Sequence, residues 1–237
     1  MPLALPLAKP GDVVQKLQLS LNKGARFTVE LRWDSTHDVD AHALLATNGG
    51  NGAKVNDFAQ VLSTYNAKST NPNGMLVTNQ DRSFSTPCGA LTHSGDARTG
   101  VTTDIDELIT IFGDKVGSEV NEIPIFVTVH GGATFAGVKS ASITIKDDEG
   151  KVLGEYQLTN EFAAFNAVQM GSLIRSDKGW EYAPVGSGFM GDFNAVLGVL
   201  LITPTRFDQL ETSSKNFSLA GNHHRFTGNS INVALLI

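Results

Sequence analysis

The sequence predicts an all-β to α+β fold: a two-sheet antiparallel β-sandwich with one or two helices at its edge. Short segments of alternating apolar and polar residues recur along the chain, and clusters of Gly, Asn and Asp separate them. Only two stretches carry helical spacing, which leaves paired sheets as the architecture that buries the apolar faces. The 237 residues, 41% apolar and 18% charged, suit one large domain with a sizeable core.

Residues 15–21 (QKLQLSL) and 26–33 (RFTVELRW) alternate, which places Phe27, Val29 and Leu31 on one strand face. Asn22, Lys23, Gly24 and Ala25 between them read as a turn. Further strand signals fall at 41–45, 108–112, 123–130, 138–146, 152–158 and 180–185. The run Asp147-Asp148-Glu149-Gly150 has the composition of a hairpin turn, with Gly150 free to take positive φ.

A helix is expected over 160–174, capped by Thr159 or Asn160, with Phe162, Phe165, Val168 and Leu173 on one broad face. A second is expected over 193–201, weakened by Gly198. Residues 47–90 are rich in Asn, Gly, Ser and Thr and read as a long loop or insertion, with a short strand at 58–62. The sandwich domain is therefore assigned to 1–200 and a C-terminal extension to 201–237, whose apolar finish at 231–237 (INVALLI) reads as a strand for assembly.

The net charge of −6 and the lack of a Lys/Arg cluster give no footprint for nucleic acid or an anionic membrane surface. The longest apolar run, 195–202, is far shorter than the roughly 20 residues of a membrane-spanning helix. The first residues (MPLALPLAKPG) lack a basic segment and are broken by Pro2, Pro6 and Pro10, so no signal peptide is expected. The lone Cys88 suits a reducing compartment. A cytoplasmic location is expected, with a virion as the alternative.

Two acidic groups carry the candidate chemistry. Asp34, Asp38 and Asp40 follow the strand that ends at Trp33, and the two-residue spacing sends Asp38 and Asp40 to one side of an extended chain. The second group is Asp96, inside His93-Ser94-Gly95-Asp96-Ala97-Arg98-Thr99-Gly100, followed by Asp104, Asp106 and Glu107. Clustered carboxylates repel unless a cation neutralises them, and Ca2+, which takes six to eight oxygen ligands, is the natural partner. Acidic residues at strand ends also serve as solvated turn formers, and that alternative stays open for each group taken alone. Neither group is an EF-hand, because Val39 and Leu45 stand where that loop needs Gly and Glu.

No catalytic constellation emerges, and an enzyme is not expected. His37, His42, His93 and His130 surround the acidic groups but read as structural. Gly186-Ser187-Gly188 lacks the strand-to-helix setting of a serine nucleophile, and Cys88 has no sequence-defined histidine partner. His223 and His224 would point to opposite sides of a strand, so they do not share an ion.

The blocks Trp33-Asp34…Asp38-Val39-Asp40-Ala41, Thr92-His93-Ser94-Gly95-Asp96-Ala97-Arg98-Thr99-Gly100, Asp104-Ile105-Asp106-Glu107, Gly154-Glu155-Tyr156-Gln157-Leu158 and Gly179-Trp180-Glu181-Tyr182 resemble, in order, the bacterial TerD family of tellurite-resistance and stress-response proteins. The similarity spans about 14–200. It implies a β-sandwich that binds calcium through these loops, with ligand roles for Asp34, Asp38, Asp40, Asp96, Asp104, Asp106 and Glu107. Ala97 stands where an Asn is usual and the 34–38 loop is short, so one calcium ion is expected rather than two.

The function expected from the resemblance is a calcium-binding interaction or scaffolding module in stress or metal tolerance. Its partners would be other protein subunits or further copies of this chain. The alternative is a structural subunit of a phage virion or other large assembly, suggested by the polar insertion and the apolar C-terminus.

Overall fold

The computed structural model describes residues 17–18, 26–50, 52–100 and 104–200. In chain order the strands are β1 (Leu17–Gln18), β2 (Arg26–Arg32), β3 (Val39–Leu44), β4 (Thr47–Asn48), β5 (Ala53–Lys54), β6 (Val61–Leu62) and β7 (Phe84–Ser85). They continue with β8 (Leu91–His93), β9 (Glu107–Phe112), β10 (Glu122–Val129), β11 (Ser142–Lys146), β12 (Val152–Gln157), β13 (Ala167–Ser176) and β14 (Gly179–Phe189). Helix α1 is the single turn Leu158–Glu161, and α2 is Phe193–Leu200.

Two six-stranded sheets form the sandwich, one ordered β1-β14-β13-β10-β3-β6 and the other β12-β11-β2-β9-β8-β7. Every neighbouring pair in them is antiparallel. The alternation in β2 has the expected result: Phe27, Val29 and Leu31 are fully buried. With Ile109 and Ile111 of β9 and Ile143 and Ile145 of β11 they meet Ala41, Ala43, Ile123, Ile125 and Val127 of the facing sheet. The hairpin between β11 and β12 turns at Gly150, at φ 78°.

The helix expected over 160–174 is corrected. Phe162 and Phe165 lie in a turn closed by the Phe165 amide donating to the Phe162 carbonyl at 2.9 Å, and 167–176 is strand β13. This strand pairs with β10 on one side and β14 on the other and is buried over its first seven residues, so an apolar run imitates a helical stripe.

Residues 47–90 hold more packed structure than a loop reading implies. The expected strand at 58–62 is a 3-10 turn, Phe58–Gln60, capped by Asp57 and followed by β6. Ala53, Val55, Phe58 and Val61 join Leu44, Phe126, Phe193, Val196 and Leu197 in a second apolar cluster. That cluster covers the face of β3 opposite Ala41 and Ala43. Buried Asn66 holds the stretch together, donating to the carbonyls of Phe58 (2.7 Å) and Val61 (2.8 Å) and accepting from the Met75 amide (3.0 Å).

Leu17–Gln18 pairs with β14 while β2 lies in the other sheet, so the first two strands belong to different layers. The turn at 22–25, the pair His223 and His224 and the candidate assembly strand at 231–237 lie outside the described residues. Among the described residues no helix is long and apolar enough to cross a membrane.

Candidate metal centre

The sandwich brings the two acidic groups together at one end. β3 begins there with Val39-Asp40, β9 begins there with Glu107, and β10 ends there, its Thr128 opposite Asp40. The two connecting loops are bridged directly: the Ser35 amide donates to the Gly100 carbonyl at 2.6 Å, and the Gly100 amide donates back to Ser35 at 3.0 Å. Gly100 is required for this approach, since a Cβ there would lie 2.3 Å from the Trp33 carbonyl oxygen.

Of the seven expected ligands, four fall in two overlapping groups that share Asp40. Ligand atoms of Asp40, Asp96 and Glu107 lie within 4.8 Å of one another, and so do those of Asp38, Asp40 and His130. Glu107 is wholly buried, Asp40 is 2% exposed, and Asp38 and Asp96 are half-buried. The other three face different tasks. Asp34 pairs with Lys139 at 2.5 Å on the surface, and Asp106 accepts the Trp33 amide at 2.9 Å. Asp104 is not in either convergent group; it lies near enough to Asp106 to push that carboxyl's pKa up, though burial is the larger cause.

Each converging carboxylate is held by groups from elsewhere in the chain. Glu107 accepts the amides of Ala41 (2.8 Å) and Ala97 (3.4 Å), so the position expected to lack a ligand instead contributes its backbone to the cluster. Asp40 accepts hydroxyl hydrogens from Thr64 (2.7 Å) and Tyr65 (2.9 Å). Asp38 Oδ1 is buried and has no hydrogen-bond partner. Asp96 carries an ion pair at 3.1 Å with Arg98, whose side chain is 75% exposed. Asp96 also lines, with Asp81, Arg82 and Asp106, a shallow cavity of about 340 Å3.

Four carboxylates thus stand against one solvated guanidinium. Burial, followed by the neighbouring Asp96 and Glu107, pushes the Asp38 carboxyl up to about 6. Burial, with the charges of Glu107 and Asp38, raises that of Asp40 well above the usual range. These are oxygen donors of the hard kind that Ca2+ prefers, and the unpartnered Asp38 Oδ1 is an acceptor with nothing to accept. The residues fit a bound divalent cation. Asp40 would hold it, together with Asp96 and Glu107 on one side or with Asp38 and the His130 ring on the other.

The histidines divide by environment. His42 is fully buried, its Nε2 2.9 Å from Thr128 Oγ1, and burial drives its pKa far down, so it stays neutral. His93 accepts the Gly95 amide at Nδ1 (3.1 Å), which leaves the ring proton on Nε2, 3.3 Å from Glu107 Oε2. His37 is tied to Ser35 at 2.8 Å. His130 is exposed and meets the Tyr65 hydroxyl at 2.9 Å. Thr64 and Tyr65 went unforeseen because nothing local marks them: they lie in the polar 47–90 stretch, and only its folding onto β3 delivers them to Asp40.

The fold and this cluster define a class, a two-sheet β-sandwich with an acidic loop centre at one end of its strands. The chain belongs to the TerD domain family, whose model matches residues 12–198. It is 30% identical over 209 residues to the tellurium resistance protein TerD of Serratia marcescens, covering 82% of this chain and 95% of that protein. It is 27% identical to general stress protein 16U of Bacillus subtilis (strain 168), covering 75% and 89%. Among solved structures, a homologue of telluride resistance protein (TerD) from Streptomyces coelicolor A3(2) shares the fold, with a TM-score of 0.56 at 17% identity over 73% of this chain and 95% of that one.

Proposed function

We propose that this chain is a calcium-binding, non-catalytic member of its family that acts in stress or tellurite tolerance by presenting cation-ordered loops to protein partners. The observation that carries this reading is the convergence of Asp38, Asp40, Asp96 and Glu107, two of them almost wholly buried, with Asp38 Oδ1 left without a partner. Burying that much like charge is unfavourable until a cation joins it. A filled site would fix residues 33–40 and 94–100 in one arrangement and give a partner a preformed surface. The names of the relatives, a tellurium resistance protein and a general stress protein, support the physiological setting.

The Ser35–Gly100 backbone bridge, which a side chain at Gly100 would block, supports this reading by tying the two acidic loops together. The reading as a virion subunit rests on the polar 47–90 insertion and on the apolar C-terminus: the insertion packs Ala53, Val55, Phe58 and Val61 into this chain's own second apolar cluster, and residues 201–237 lie outside the described region. Isothermal titration of chelator-stripped protein is the direct test. Stoichiometric calcium binding, abolished in Asp40→Asn combined with Glu107→Gln, is expected. Heat of dilution alone in the unaltered protein would overturn the proposal.

A further inference from the structure

Helix α2 is connected to the acidic cluster by a stack of rings. Tyr65 touches the cluster with its hydroxyl, on Asp40 Oδ2 and His130 Nδ1, while its ring lies 5.8 Å from each of His42, His130 and Phe193. His42 and Phe193 are in closer contact, with centroids 3.9 Å apart and planes 23° from parallel. Phe193 opens α2, whose first turn is capped by Asp192 accepting the Ala195 amide at 3.0 Å. The inward residues Phe193, Val196 and Leu197 are 3%, 5% and 2% exposed and sit in the second apolar cluster, against the face of β3 that carries Leu44.

We propose that Tyr65 is a positioning residue for Asp40 and that, through its contact with Phe193, it couples cation occupancy of the acidic cluster to the docking of α2. This rests on the cation-binding reading. Without a cation, Asp40 faces the carboxylates of Asp38 and Glu107, and the hydrogen bonds from Thr64 and Tyr65 must hold it against that repulsion. A bound cation turns the repulsion into attraction. Asp40 then stays where both hydroxyls reach it, the Tyr65 ring is fixed, and the surface that receives Phe193 is complete.

A close-packed interior passes such a displacement on because it cannot absorb it. Coupling of this kind is reciprocal: the factor by which the cation strengthens α2 docking is the factor by which docking strengthens cation binding. Neither Tyr65 nor Phe193 supplies a carboxylate, so a change in affinity on altering them arises through positioning.

The test combines calcium titration calorimetry with hydrogen exchange of Phe193–Leu200, on the full chain and on Tyr65→Phe and Phe193→Leu. Both variants keep an apolar side chain in place, and Tyr65→Phe loses only the hydroxyl. In the unaltered chain, saturating calcium is expected to slow exchange in α2. Both variants are expected to bind calcium roughly fivefold or more weakly, and Tyr65→Phe to lose the calcium-dependent protection of α2. A purely structural role would lower the variants' melting temperatures and leave the dissociation constant unchanged, which overturns the coupling. Calcium binding without any change in α2 exchange in the unaltered chain also overturns it. Absence of calcium binding in the unaltered chain removes the cation reading itself and the coupling with it.

Discussion

Glu30 and Asp40 are both acidic and both nearly hidden, at 7% and 2% exposure, yet the chain surrounds them in opposite ways. Glu30, on β2, receives Lys146 Nζ from β11 at 2.7 and 2.8 Å and Arg32 Nη2 at 2.8 Å. Burial alone would raise its pKa, but the hydrogen bonds and charges of Lys146 and Arg32 outweigh that and hold it below the ordinary carboxylate value. Asp40 receives only neutral hydroxyls from the chain, and its charged neighbours, Glu107 and Asp38, share its sign. One acid has been neutralised from within the sequence. On the proposed reading the other is matched by a cation from solution, which would be the difference between a structural ion pair and a binding site.

Exchanging the carboxylate for an amide at each place separates the two regions most sharply. Asp40→Asn is expected to weaken calcium binding by roughly 100-fold, because the site loses one of its charged oxygens. In a chelator the same variant should melt at the same temperature or higher, since repulsion from Asp38 and Glu107 is relieved. Glu30→Gln should behave in reverse. It should lose about 1 kcal/mol of stability in urea denaturation, through weaker bonds to two part-exposed cations, and keep its calcium affinity. If Asp40→Asn is destabilising in chelator and Glu30→Gln is not, the contrast between the regions fails.

The pH dependence extends the comparison with a smaller effect. Burial, with the charges of Asp96 and Glu107, pushes the Asp38 carboxyl up to about 6 from an ordinary value of 3.8. A raised acid stabilises the fold in its protonated form, so this contribution is fully present below about 3.8 and is lost as pH rises through about 6. Glu30, whose pKa is lowered, contributes in the opposite sense: its stabilisation is present above the ordinary carboxylate value and disappears as pH falls below it. In chelator, stability should therefore decline between about pH 3.8 and 6 through Asp38, and in Asp38→Asn that decline should flatten. Calcium affinity should fall as pH drops below about 6, because protons compete for the ligand.

The smallest effect belongs to Asp34. Its partner Lys139 is 76% exposed, and the pair stands apart from the convergent carboxylates. Asp34→Ala should change calcium affinity by less than about twofold, since solvent screens a charge outside the cluster. A loss as large as that at Asp40 would show that the 33–38 loop moves onto the cation when it binds.

Much of this organisation could be read from the residues. The alternation in 26–33 gave β2 and its buried face, and the turn residues 147–150 gave the hairpin of β11 and β12. The two-residue spacing of Asp38 and Asp40 placed both carboxylates toward the cluster. Where the reading failed, long-range pairing was the cause. β13 is covered on both faces, so its buried run lost the alternation that marks a half-exposed strand and took on helical spacing. The Asn-rich 47–90 stretch looked like loop because its polar side chains replace regular backbone pairing, as Asn66 does for Phe58, Val61 and Met75. The sorting of the seven acids depends on partners such as Lys139 and the Trp33 amide, which no spacing announces.

Calorimetric melting of the unaltered chain, first in EGTA and then in calcium at about a hundredfold excess over its dissociation constant, tests the uncompensated acidic cluster most directly. Binding to the folded state alone adds about 2.7 kcal/mol at that excess, which for a chain of this size is a rise of roughly 5 to 10 °C. A rise of that order, absent from Asp40→Asn, is the expected result. The same melting temperature in EGTA and in calcium would contradict it.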